Sequence, residues 1–256
     1  MKEVEFKTFR FYHFIKAEYV EHFLRTGLLK VTQLWHSNDS FEFRPAFTSY
    51  GVENEWKKII QGGEPCVICL SSRMSSPAMW GHYGDKGKGA CLVFDIPVEK
   101  WRNPKFSYLF QIYGIQLPLG KVQYSNEQYT IDKVPPMTSV AMNDLVTNLA
   151  CIKAIDWKYE QEYRVFIPEC MLQADKGCLF YSGLKQYCTA VLLGWECPYT
   201  RLYMERVKTI CGMNRVWILS TYPSRERFEI CVSNLNGQNY TDVDESLLEE
   251  WVGDTA

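Results

Sequence analysis

Residues 157–167 run Trp157-Lys158-Tyr159-Glu160-Gln161-Glu162-Tyr163-Arg164-Val165-Phe166-Ile167. From Glu160 onward the alternation has the period of a β-strand, whose successive side chains point to opposite faces. It predicts a strand over 160–167 with Glu160, Glu162 and Arg164 on one face and Gln161, Tyr163, Val165 and Ile167 on the other. Two carboxylates on one face repel unless one is buried, protonated or matched by a cation, and such tension is common where acid–base chemistry is done. Arg164 is placed to relieve it. In that case the face is equally well a solvated Glu–Arg pair with a purely structural role.

Working outward, further strands are expected over 10–15, 28–35, 66–71, 89–96, 121–125, 189–193, 216–221 and 228–232. Helices are expected over 16–26, 53–61, 76–83, 137–154 and 199–210. The first of these has Tyr19, Val20, Phe23 and Leu24 on one face, with Gly27 where a C-terminal glycine cap belongs. Ser76-Pro77 reads as a cap followed by proline in the first turn. The segment 137–154 has the strongest helical stripe: Val140, Ala141, Leu145, Leu149 and Ile152. Strands and helices do not alternate regularly. The expected class is therefore α+β, a single domain of mixed or antiparallel split sheets flanked by helices. The domain spans 1–235, followed over 236–256 by an acidic tail or a short amphipathic helix capped at Asp244.

Composition sets outer limits. The 256 residues carry ten cysteines without paired spacing, which suits reduced thiols in a cytoplasmic protein better than a disulfide framework. No apolar run approaches the ~18 residues of a membrane span, and the charged start does not read as a secretory signal. The net charge of -2 conceals a division. Six acids and no Lys or Arg fall within 236–256, so the rest holds 24 acids against 28 bases. A mildly basic body suits a nucleotide phosphate or nucleic acid as partner without marking a dedicated DNA binder.

Three other stretches have chemical content. Met79-Trp80-Gly81-His82-Tyr83-Gly84 places one of four histidines among aromatics, either as a stacking surface for a planar ring or as part of an aromatic core. Asn38-Asp39-Ser40-Phe41-Glu42-Phe43-Arg44 is a loop that local side-chain hydrogen bonds would explain, although it also offers Arg44 to a phosphate. Cys66-Val67-Ile68-Cys69 has the spacing of a zinc pair but lacks a second pair, and strand alternation sends the two thiols to opposite faces.

Together these pieces resemble a bacterial and phage family catalogued only as a domain of unknown function (number 2971). The matching pieces are Phe11-Tyr12-His13-Phe14, Thr26-Gly27-Leu28, Ser37-Asn38-Asp39-Ser40-Phe41-Glu42, Cys69-Leu70-Ser71, Met79-Trp80-Gly81-His82-Tyr83, Lys88-Gly89-Ala90-Cys91-Leu92-Val93-Phe94-Asp95 and Val122-Gln123-Tyr124-Ser125. Lys153 with the 157–164 segment and Val191-Leu192-Leu193-Gly194 complete them, over about 11–232. Ser37 and Ser40 depart from the usual Phe and Pro of the family's loop.

A looser resemblance to ADP-ribosyltransferases implies an activity. It would make NAD the substrate, with Glu162 stabilising the oxocarbenium ion of the ribose and Glu160 orienting or deprotonating the acceptor. It would have His13 bind a ribose hydroxyl, Tyr12 or Tyr83 stack on nicotinamide, and Arg44 or Arg10 meet the pyrophosphate. Ser71 would stand on the middle strand, with Asn38, Trp80 and His82 lining the site. The implied acceptor is a macromolecule, nucleic acid or protein, as for a toxin or anti-phage effector with an antitoxin or chaperone partner and no membrane. Two alternatives stay open. One is a nuclease or hydrolase holding a divalent metal on Asp39, Glu42, Glu160 and Glu162, and the other is a non-catalytic nucleotide-binding module.

Overall fold

A computed structural model of the chain describes residues 8–60, 63, 65–97, 101–102, 117–137, 139–233 and 240–242. In chain order its strands begin with β1 (Thr8–Ile15), β2 (Leu29–Lys30), β3 (Thr32–Gln33), β4 (Ala46–Phe47), β5 (Cys66–Ser71) and β6 (Ala90–Pro97). Next come β7 (Trp101–Arg102), β8 (Leu117–Lys121), β9 (Gln123–Ser125), β10 (Thr130–Ile131), β11 (Ile152–Ala154) and β12 (Glu162–Phe166). The last are β13 (Gln173–Asp175), β14 (Cys178–Tyr181), β15 (Cys188–Leu193), β16 (Trp217–Pro223) and β17 (Ile230–Val232). The helices are α1 (Ala17–Thr26), α2 (Tyr50–Ile60), α3 (Pro77–His82), α4 (Val140–Leu149) and α5 (Arg201–Ile210).

Among the described residues ten strands join in one sheet, ordered β17-β16-β15-β6-β1-β5-β12-β8-β7, with β3 also paired to β5. Pairing is antiparallel between β1 and β6 and between β5 and β12, and parallel between β15 and β16. The class is thus α+β with a mixed sheet. β6 lies near the middle and is buried on both faces over Ala90 to Phe94, which is why it reads as an unbroken apolar run rather than an alternation. One face of the sheet packs Phe11, Leu70, Leu92, Tyr163 and Val165 against Phe23 and Leu24 of α1 and Met204 of α5. The other face carries two clusters, one around Tyr12 and Trp80 and one around Phe43, Trp56 and Leu145. Strand parity sets Glu162 and Arg164 on this second face, where the two clusters meet.

The sheet is weakest between β1 and β5. β5 pairs with β3 at Cys66 and Val67, but with β1 only through Tyr12↔Ser71. Across the intervening gap the His13 Nδ1 lies 2.8 Å from the Cys69 carbonyl oxygen, so Nδ1 carries the proton and the imidazole takes the place of a missing backbone donor. Burial lowers the His13 pKa, opposed by that same hydrogen bond, and the ring is neutral at physiological pH.

Several elements differ from the sequence expectation. The helix expected over 137–154 is α4 alone, capped by Ser139, whose Oγ accepts the Met142 N–H at 3.1 Å. Val140, read as buried stripe, is 64% exposed. Beyond Cys151 the chain becomes β11 and pairs parallel with β9, a non-local ladder that overrides the helical spacing of Ile152. The strand expected over 28–35 breaks at Val31, because β2 pairs with β14 and β3 with β5. The strand expected over 160–167 begins at Glu162. Residues Ile155–Glu160 form a 3-10 helix, and Gln161 turns the chain at φ 45°. In the segment expected as a tail, residues 240–242 lie against the body and Tyr240 joins the Trp80 cluster. The helix expected behind Asp244 lies outside the described residues. No helix among the described residues is long and apolar enough to cross a membrane.

The loop after α3 is locked against the end of β15. A Cβ on Gly194 would overlap the Gly87 carbonyl oxygen and lie 2.9 Å from that of Gly89, and backbone cannot yield by changing rotamer. Gly194→Ala is expected to cost about 1–3 kcal/mol, a Tm drop of about 2–10 °C. An unchanged melting curve would contradict this packing.

Candidate functional site

The alternation that places Glu162 and Arg164 on one face brings them beneath three other charged residues. Arg164 is fully buried, and Glu160 and Glu162 are 3% and 5% exposed. Arg164 Nε reaches Glu162 Oε1 at 2.8 Å and its Nη2 reaches Glu162 Oε2 at 2.9 Å, a forked pair along one strand. The same Nη2 bonds Glu42 Oε1, and Nη1 donates to the Ala150 carbonyl at 2.6 Å. Lys153, delivered by β11, sets its Nζ 2.7 Å from Glu160 Oε2, 3.4 Å from Glu162 Oε2 and 4.0 Å from Glu42 Oε2. Three carboxylates thus surround two cations, with Asp39 nearby as a further acid.

Local structure aims Glu160 into this cluster from outside the strand. The left-handed Gln161 reverses the chain, and Ser71 Oγ donates to the Glu160 carbonyl at 2.6 Å. The phenol of Tyr83, from the end of α3, donates to Glu160 Oε1 at 2.5 Å and accepts from Asn38 Nδ2 at 3.2 Å. A continuous chain of polar contacts therefore runs from Asn38 through Tyr83, Glu160 and Lys153 to Glu162, Arg164 and Glu42.

The electrostatics follow from burial and the excess of acids. Burial pushes the Glu162 carboxyl up to about 7; Lys153 pulls it back and Glu160 pushes it further. For Lys153 burial acts downward, but Glu162 and Glu160 outweigh it and raise the ammonium above its ordinary value. Burial lowers the Arg164 guanidinium to about 9 with Asp39 opposing, and it stays cationic at neutral pH. The Tyr83 phenol is raised by burial and then by Glu160, so it serves as a proton donor.

Four expected site residues meet here: Asn38, Tyr83, Glu160 and Glu162. His82 stands beside them, exposed, with its ring centroid 6.3 Å from that of Tyr83 and 5.7 Å from that of Tyr159. Trp157 lies 6.1 Å beyond Tyr159, and its ring receives the Lys153 ammonium at 4.7 Å. These four rings form an aromatic wall over the charges. Ser71 touches the site through its hold on the Glu160 backbone.

The others lie elsewhere. Tyr12 is fully buried and donates to the Thr241 carbonyl at 2.7 Å, and Trp80 is fully buried with its Nε1 on the Met74 carbonyl at 2.9 Å. His13 occupies the β1–β5 gap. Arg10 pairs with Asp95 at 2.6 Å. Arg44 lies over the Trp35 ring at 4.8 Å, on the rim of a cleft of about 210 Å³ that also includes Asp39, Phe43, Tyr129 and Lys153. Asp39 Oδ1 accepts the Phe41 N–H at 2.9 Å, whereas its buried Oδ2 has no hydrogen-bond partner among the described residues.

Sequence reasoning missed Lys153 as a site residue, since a helix running to residue 154 would have carried it onto a surface. It also missed the wall formed by Trp157 and Tyr159. Among the described residues no group of His, Cys, Asp and Glu is arranged to hold a metal ion. The centre of the expected acidic quartet is filled by the Lys153 ammonium and the Arg164 guanidinium.

Two stability predictions follow from the charge balance. Between pH 4.5 and about 7 folded Glu162 keeps a proton that the unfolded chain has lost, so its contribution is full below pH 4.5 and falls away as pH rises through about 7. Glu162→Gln is expected to flatten the Tm–pH curve over that window, and a curve as steep as the parent's would refute the assignment. Lys153→Met leaves the carboxylates without their ammonium. It is expected to cost about 3–5 kcal/mol at pH 8 and less at pH 5, where Glu162 takes up a proton; denaturant unfolding at both pH values checks this.

No curated protein and no solved structure matches the chain. A family model does match, over a span shorter than the 11–232 of the expected resemblance. It includes Tyr83, Lys153, Glu160, Glu162 and Arg164 but not Asn38 or Glu42, which precede it. Residues 79–165, from α3 to β12, match the family described as Protein of unknown function (DUF2971).

Proposed function

We propose that the protein is an NAD-dependent ADP-ribosyltransferase acting on a macromolecule, nucleic acid or protein, in the manner of a toxin or anti-phage effector. The observation that carries this reading is the chain Tyr83–Glu160–Lys153–Glu162 lying under the aromatic wall of Trp157, Tyr159, His82 and Tyr83. A planar nicotinamide or adenine ring has a surface to stack on there, and a ribose beside it has carboxylates within reach. Exposed His82 and the half-buried Tyr83, Tyr159 and Trp157 take the stacking role, because Tyr12 and Trp80 are sealed in the core.

The chemistry asked of the site is cleavage of the bond between nicotinamide and ribose C1′. The electron pair of that bond leaves with nicotinamide, and positive charge develops on the ribose as in glycoside cleavage. In this reading Glu162 stabilises that charge, and Lys153 and Arg164 fix its orientation. The acceptor's lone pair forms the new bond to C1′ and its proton passes to Glu160. Glu160 lies at the outer end of the chain, where the half-buried Tyr83 links it to surface residue Asn38. The cations at the centre of the acidic quartet weigh against a divalent-metal hydrolase, since they already meet the charge a metal would neutralise.

Purified protein is expected to release nicotinamide from NAD, with Glu162→Gln slower by about 100- to 1000-fold. Because Glu162 acts as its carboxylate, the rate should rise with pH through about 7. No release together with no NAD-induced thermal shift would overturn the proposal. An NAD-induced shift without turnover, unchanged in Glu162→Gln, would favour the non-catalytic binding module.

A further inference from the structure

The loop that follows β5 already grips an anion, supplied by the chain itself. Asp242 Oδ1 accepts the backbone N–H groups of both Met74 and Ser75 at 2.9 Å. Its Oδ2 accepts Ser75 Oγ at 2.6 Å and lies 3.3 Å from Arg73 Nε. Two successive backbone N–H groups on one oxygen, with a hydroxyl and a guanidinium on the other, form the donor set that loops use to cradle phosphate. The carboxylate is held at the rim: the Asp242 and Arg73 side chains are 36% and 45% exposed. Its exchange for another anion does not require the core to open.

The position of this cradle gives it a use. Arg73 N–H donates to Ser71 Oγ at 2.9 Å, and that hydroxyl holds the Glu160 carbonyl at 2.6 Å. Anion cradle and carboxylate turn are therefore two sides of one loop. The occupying segment is fastened at two further points: the Thr241 carbonyl accepts the buried Tyr12 hydroxyl, and the Tyr240 ring lies under the Arg10 guanidinium at 4.9 Å. Residues 240–242 thus lie across β1 next to its one rung with β5.

We propose that Arg73, Met74 and Ser75 form a binding site for a phosphate group, and that Asp242 fills it in the free protein as an internal stand-in which a phosphorylated ligand displaces. The ligand class is a phosphate or pyrophosphate ester. Its assignment to the NAD of the preceding section rests on that reading, whereas the anion site does not.

A tethered competitor lowers apparent affinity by the fraction of molecules in which the site is open. The test is isothermal titration of inorganic pyrophosphate into the full-length parent, Asp242→Ala, Asp242→Asn, and Asp242→Ala combined with Arg73→Ala. Both single Asp242 variants are expected to bind about tenfold or more tightly than the parent, with the gain weakened by salt and abolished by Arg73→Ala. Asp242→Asn keeps the side-chain shape, so it decides the matter if Asp242→Ala does not fold. Equal affinity in the parent and the folded variants, or a gain that survives Arg73→Ala, would overturn the proposal. ADP-ribose binding Asp242→Ala more tightly than pyrophosphate marks a nucleotide as the source of the phosphate, and equal affinities mark a free anion. A gain in pyrophosphate affinity with neither nicotinamide release nor an NAD-induced thermal shift would leave the anion site standing and remove the transferase reading.

Discussion

The Lys153 ammonium, 2.7 Å from Glu160 and 3.4 Å from Glu162, is the contact on which the arrangement of this face depends. Without it, two buried carboxylates would face each other in a medium of low dielectric, where like charges cannot both ionise at modest cost. Its presence requires β11 to be a strand paired with β9, so that the side chain enters the protein instead of lying on a helix surface. It also requires the turn at Gln161, which brings Glu160 inward. Arg164 plays the matching part for Glu42. The five residues come from a loop, two strands and a 3-10 helix, and each is tolerable in the interior only because the others are there.

How much of this was legible in the sequence depended on whether the governing contact was local. Glu162 and Arg164 were readable as neighbours, because strand alternation is a property of two or three residues. Glu160 was placed on the same face for a mistaken reason, since the 3-10 helix and left-handed Gln161 carry it there instead of the strand. Lys153 was hidden by the apolar spacing that runs from Leu145 through Leu149 to Ile152. Only pairing with Gln123–Ser125, some thirty residues earlier, makes that last stretch extended. Tyr12, Trp80 and Tyr83 look alike as aromatics, and burial, which sequence does not display, separates two core rings from one at the site. Asp242 read as one acid among six in a charged tail, although it is bonded to a loop more than 160 residues away.

The same distinction explains the mixed character of the fold. α1 has its own amphipathic stripe of Val20, Phe23 and Leu24 and its own glycine cap, Gly27, whose N–H bonds the Phe23 carbonyl at 2.7 Å, so local rules suffice for all of it but Tyr19, expected on that face and exposed. The chain around Val31 and Val122 switches between ladders within a residue or two, so its short strands are defined by partners rather than by propensity. Such segments are apolar enough to be strands and too short to announce where they end.

The narrow β1–β5 seam has a further consequence, for the order in which the chain is assembled. β1, β6 and β15 form one continuous ladder, whereas β5, β12 and β8 form another, and the rung Tyr12↔Ser71 with the His13 imidazole joins the two. Each ladder can zip up by its own backbone pairing, but the seam offers little hydrogen bonding to draw them together. Their docking must come from side chains: the apolar layer under α1 on one side, and on the other the 240–242 segment, bonded to Tyr12 through Thr241 and to the loop after β5 through Asp242. The charged residues all lie on the β5–β12–β8 side, since the 38–42 loop follows β3, which pairs with β5; what comes from the other side is Tyr83, which packs against the cluster of Tyr12, Phe14 and Val93 and bonds Glu160. Docking of the two halves therefore adds a phenol to Glu160 and does not create the charged centre.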